Sequence, residues 1–252
     1  MVSLSVNRVA PVFLSHQLIK CLMIPALLMF LAGCETAHTV SVKTVGQLAV
    51  SERSPKILLM PLDVELSVLT AAGLTEPQAE WTTNAITHMQ TALAEEVSDR
   101  GATLESYESV VQDPAATAVQ MEKLHEAVGL SILTHHLGPL RLPAKNGAFD
   151  WTLGRGARAL ESDTDADYAL FVFVRDSYAS GGRVAMQIGM ALLGASVSGG
   201  MQVGFASLVD LKSGDIVWFN RLMSSTGDLR KIEPARNTVK SLLDTLPGAD
   251  SV

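Results

Sequence analysis

Leu31-Ala32-Gly33-Cys34 is the stretch of this 252-residue chain whose residue types and spacing point most directly to chemistry. A cysteine after two small residues, at the end of an apolar run, is the pattern of a lipobox. In that chemistry the Cys34 thiol is alkylated to a thioether-linked lipid and the segment before it is removed. The other cysteine, Cys21, would leave with that segment, so neither an intrachain disulfide nor a cysteine nucleophile is expected. The covalent lipid on Cys34 is the only cofactor-like group the sequence implies.

Other reactive residue types are present without the spacing that would put them to use. His135 and His136 are adjacent and would point about 100° apart on a helix, with no H-E-x-x-H pattern or cysteine partner, so no metal site is expected. Gly194-Ala-Ser196-Val-Ser198 lacks the closing glycine of a nucleophile elbow, and no phosphate-binding G-x-x-x-x-G-K-[ST] loop occurs. Asp176, Ser177 and Tyr178 follow an apolar run and read as a polar strand-end loop. A hydrolase using Ser177 is the weaker alternative, and the chain is expected not to be an enzyme. Phe149, Trp151 and Arg155, with a Gly181-Gly182-Arg183 loop, carry aromatic and arginine character suited to docking; an aromatic lid over the sheet edge also fits Trp151.

The first 33 residues must position the thiol. Arg8 and Lys20 are their only charges, and the apolar stretch Cys21–Leu31 is too short for a bilayer, which needs about 20 residues, so residues 1–33 read as a signal peptide. Removing those 33 of 252 residues leaves 219, and losing two cations moves the net charge from −7 to −9. Such a surface argues against nucleic acid and against a polybasic grip on lipid, leaving anchorage to the acyl chains. Residues 34–54 read as a lipidated, mostly extended tether, and residues 55–252 as a single domain of α/β class.

Within that domain Lys56–Pro61 reads as a buried strand, followed by a loop through Gly73. Thr75-Glu76-Pro77 then reads as a helix start, with Trp81, Ala85, Met89, Leu93 and Val97 recurring every fourth residue to about Arg100. A second helix, about 115–137, places Met121, Leu124, Val128 and Ile132 on one face, with His125, His135 and His136 on or near it. A short helix follows Asp150 or Thr152 and carries Leu153, Ala157 and Leu160. Tyr168–Val174 is a mid-sheet strand, apolar at every position. Lys212-Ser213-Gly214-Asp215 turns a hairpin between Phe205–Leu211 and Ile216–Leu222, and a last helix spans about Pro234–Leu246. Val184 to Val209 is a run of 26 residues without charge, whose glycines and polar residues split it into a helix to about Ala195 and the first hairpin strand.

With Ala166-Asp167-Tyr168 introducing the buried strand and Val209-Asp210-Leu211-x-Ser213-Gly214-x-Ile216-Val217-Trp218 closing the hairpin, residues from about Pro55 to Arg221 resemble bacterial envelope lipoproteins related to the curli-export component and the TolB amino-terminal domain. That resemblance implies an α/β sandwich of a mixed sheet with packed helices, ending in a hairpin and a helix. It implies roles in assembly, export or scaffolding, and supplies no catalytic residues. Glu35, rather than aspartate, after the lipidation position points to the periplasmic face of the outer membrane. The expected partners are the membrane through the lipid, an envelope protein, and further copies of the chain, with no nucleic acid. An oligomeric outer-membrane pore subunit is the alternative.

Overall fold

The computed structural model describes residues 37–48, 54–107 and 116–248. Cys34 and the signal segment lie outside those residues. The longest strand, Tyr168–Ala179 (β6), runs through the middle of a mixed sheet. Its first seven residues are buried because both faces are covered: Tyr168, Leu170, Val172 and Val174 enter one core, and Ala169, Phe171 and Phe173 the other. On one edge β6 pairs antiparallel with Gln202–Asp210 (β7). On the other it pairs in parallel with Lys56–Leu59 (β2) and then with Asp63–Leu69 (β3).

Beyond these lie Ile216–Ser224 (β8) on β7, His38–Lys43 (β1) on β8, Thr103–Ser106 (β5) on β2, and Thr75–Pro77 (β4) on β3. The helix Ala79–Ser98 (α1) buries Ala85, Met89, Leu93 and Val97 in the first core, together with Ala235, Val239 and Leu242 of Ile232–Leu242 (α5). Met121 and Ile132 of Ala116–His135 (α2) enter the second core, as do Ala157 of a 3-10 turn and Leu160 of Arg158–Thr164 (α3). Helices therefore cover both faces of a mixed sheet, the α/β arrangement expected, and α5 spans Ile232–Leu242 where the sequence reading put about Pro234–Leu246. Gly214 turns the hairpin at φ +83°, where an added Cβ would lie 2.1 Å from the Gly154 carbonyl oxygen.

Before α1, three segments differ from the sequence reading. His38–Lys43, assigned to the tether, is an edge strand paired antiparallel with β8 from His38↔Met223 to Lys43↔Trp218. Six residues are too few for sustained periodicity, but Thr39, Val40 and Val42 are β-branched and suit a half-covered edge. Asp63–Leu69, read as loop, is a strand whose Val64 and Leu66 alternate into the first core. Thr75–Pro77, read as a helix start, pairs with Ser67–Leu69; proline is tolerated at this outer position, and the helix begins after Gln78.

Candidate functional site

The residues singled out for docking separate into two regions. Trp151 sits at the hairpin turn: its carbonyl accepts from Ile216 N at 2.9 Å, while Thr152 bridges to Asp215. Phe149 and Trp151 are half-buried and pack on the second core, Phe149 meeting His136 edge-on at 5.1 Å. Trp151 thus has the geometry of an aromatic lid. Lys145 lies 4.4 Å above its ring and pairs with Asp150 at 2.7 Å, which holds the Asp150 carboxyl below the usual carboxylate range. Beside it opens a cavity of about 450 Å³ lined by His135, His136, Arg141, Lys145, Asn146 and Trp151. His135 Nδ1–H donates to Leu140 O, and burial, reinforced by Arg141, lowers the pKa of His136. Arg155 is exposed on the adjoining 3-10 turn.

Gly181, Gly182 and Arg183 stand at the other end of β6, roughly 35 Å away at the ordinary rise per strand residue. They form no loop. They open the helix Gly181–Leu192 (α4), where the Ser180 hydroxyl accepts from Arg183 N at 3.2 Å. Arg183 is buried, its Nε and Nη2 donating to Ser198 O at 3.1 and 2.9 Å, so its charge clips the helix to the following segment. The reading of these three residues as a loop is corrected accordingly, and Arg183 is buried while Gly181 and Gly182 are exposed: glycine pairs suggest a loop, but the serine before them supplies a cap.

What α4 exposes is apolar. Val184, Ile188 and Leu192 follow at four-residue intervals; Ile188 is 60% exposed, and Leu192 and Leu193 are 84% and 81% exposed. Met201, 45% exposed, lies on the segment that leads from α4 into β7. The uncharged run therefore divides as its composition suggests, between this helix and β7, whose residues are held between β6 and β8. Among the described residues no helix is long and apolar enough to cross a membrane, and no cluster of three metal-ligating side chains occurs.

Asp176, Ser177 and Tyr178 lie within β6 rather than after it. The Ser177 hydroxyl donates to Met201 O at 3.2 Å and accepts from Met201 N at 3.0 Å, which makes it a clip between backbones. Asp176 Oδ2 accepts from Tyr178 Oη at 2.6 Å and Gln202 Nε2 at 2.8 Å, and Thr238 Oγ1 donates to Gln202 Oε1 at 3.0 Å. Burial pushes both the Asp176 carboxyl and the Tyr178 phenol up. Tyr178 in turn accepts from Leu229 N at 2.9 Å, and Arg230 covers its ring at 4.0 Å while pairing with Asp228 at 2.6 Å.

No family model and no curated protein matches the chain. Among solved structures it is similar to the PelC dodecamer from Paraburkholderia phytofirmans, with 14% identity and a TM-score of 0.44 over 86% of this chain and 100% of that one. A variant of the same dodecamer gives 13% identity and a TM-score of 0.39, over 85% of this chain and all of that one.

His125, on or near the apolar face of α2 in the sequence, proves to be part of the buried face itself. It lies in α2 in the position expected of Leu124, which is exposed, so Met121, His125, Gly129 and Ile132 make the buried face. Its ring stacks on Phe171 at 4.7 Å, and its Nε2 meets Ser207 Oγ at 2.8 Å. Burial lowers its pKa to about 3, so it is neutral at ordinary pH. The four-residue spacing of Met121, His125 and Gly129 is the sequence signal of that burial.

Proposed function

We propose that this chain is a lipid-anchored, periplasm-facing protein of the outer membrane that acts by binding, as a non-enzymatic scaffold or accessory subunit of an envelope assembly. The observation that carries the reading is the exposed apolar face of α4, formed by Val184, Ile188, Leu192 and Leu193. Contiguous exposed apolar side chains on a stable domain mark an interaction surface. The occupant we assign is a second copy. The helix bears no exposed charge, because its only charged residue, Arg183, is buried, so two such faces meet without repulsion or stranded ions.

The lipobox supports the anchor. Holding each copy by acyl chains to one membrane face raises its effective concentration for its neighbours, so that a modest contact suffices for assembly. Membership of the curli-export and TolB amino-terminal group rests on the hairpin from Val209 to Trp218 and belongs to this proposal. Sedimentation of the detergent-extracted chain tests the self-association. Wild type is expected to sediment as an oligomer and Ile188→Glu with Leu192→Glu as a monomer with unchanged circular dichroism; a wild-type monomer, or an oligomer unaffected by the glutamates, would overturn it.

A further inference from the structure

Asp176 is 4% exposed, yet no cationic side chain bonds to it. The guanidinium of Arg230 acts on it only through space, being bound to Asp228 and spread over the rings of Tyr178 and Trp81. Both hydrogen bonds to the Asp176 carboxylate fall on Oδ2, from Tyr178 and Gln202, and no described residue donates to Oδ1. A largely buried carboxylate with one oxygen free of protein donors and no cation bonded directly to it favours a charged donor on its open side.

That open side is a cavity of about 180 Å³ whose wall includes Asp176, Tyr178, Gly200, Ser225, Thr226 and Gly227. None of the residues around it is basic, and Asp176 is the one ionisable carboxyl among them. Serine and threonine hydroxyls and loop carbonyls supply neutral oxygen acceptors. Gly200 lies against β6 so closely that a Cβ would sit 1.8 Å from Ser177 O, and Gly227 holds φ +130°. Side chains at these two positions would displace the wall that shapes the space. An anion has no donor cation here, and a purely apolar group would strand the carboxylate.

We propose that this cavity is a binding site for the primary ammonium group of a small organic amine, with Asp176 Oδ1 as its charged acceptor and the Ser225–Gly227 turn as its rim. An ammonium head offers three donors to match one carboxylate oxygen and neighbouring neutral oxygens, and its single charge balances the one carboxylate. No residue of α4 lines this cavity, so its test is independent of the self-association reading.

Titration calorimetry of the detergent-extracted full chain with ethylammonium chloride tests it, at ionic strength held constant with tetramethylammonium chloride, which has no N–H donor. Saturable binding is expected for wild type. Asp176→Asn, which keeps the side-chain shape and removes the charge, should weaken it at least tenfold, as should Ser225→Phe, which narrows the rim without touching the network. Unchanged urea unfolding cooperativity in both variants certifies that they are folded. Absence of saturable binding to wild type, equal binding to both variants, or equal displacement of the amine by sodium chloride would each overturn the assignment.

Discussion

Acidification should destabilise this domain through His125 over a window set by its burial. The ring is fully enclosed between Phe171, Phe205 and Ser207, and its folded-state pKa is about 3, against about 6.5 for an unfolded histidine. Below pH 6.5 the unfolded chain takes up a proton that the folded chain refuses. The stability due to neutral His125 is therefore fully present above about pH 6.5 and is lost progressively as pH falls toward 3. One pKa unit corresponds to about 1.4 kcal/mol, so the loss reaches ~2 kcal/mol at pH 5 and on the order of 5 kcal/mol at pH 3. Asp176 acts in the opposite direction, since its raised pKa makes protonation favour the folded state as pH drops. The comparison must therefore be with a variant. His125→Gln keeps a group that can bond Ser207 and cannot titrate. Urea unfolding followed by circular dichroism at pH 7.5 and pH 5.0 should show wild type losing ~2 kcal/mol more than His125→Gln between the two. Equal losses would refute the assignment of a neutral, buried imidazole.

Gly129 faces Phe205, and an added Cβ would lie 2.1 Å from its Cε2 atom. Although alanine is the better helix former by about 1 kcal/mol, Gly129→Ala is expected to lose roughly 1–3 kcal/mol by overpacking, read as a lowered Tm; a raised Tm would contradict the close approach. Trp151→Ala should cost roughly 2 kcal/mol because the ring covers the second core, whereas Arg155→Ala, on an exposed turn, should change stability by less than about 0.5 kcal/mol. Equal effects in the two variants, by thermal unfolding, would remove the distinction between lid and solvated residue.

Much of the framework was legible because it is written in strong local patterns. Tyr168–Val174 is apolar at each position and proves doubly covered, and the Lys212–Asp215 turn carries its glycine where φ is positive. Trp81, Ala85, Met89, Leu93 and Val97 mark α1 by spacing alone. What escaped was set by long-range pairing. β1 is stable only because β8, some 180 residues later, offers it an edge, and β4 depends likewise on β3. Thr75-Glu76-Pro77 satisfies a helix-start rule locally, and its tertiary partner decides otherwise. The docking residues failed to converge for a similar reason: Trp151 and Gly182 are 31 positions apart in sequence, but β6 runs between them and carries them to opposite ends of the sheet. Arg183 looked exposed because arginine usually is; its burial depends on Ser198 and Ala71 carbonyls that no local motif announces. His125 stood on or near the apolar face in the sequence, but its partner Ser207, 82 positions later, is set by tertiary packing.

The central claim is that a lipid on Cys34 holds this domain in the envelope, where its α4 face is used. Intact mass spectrometry of the chain recovered from membranes of its native cell tests it most directly. The account predicts a species that begins at Cys34 and carries acyl mass, lost from the membrane fraction in Cys34→Ser. An unprocessed chain, soluble in the cytosol and retaining residues 1–33, would contradict it.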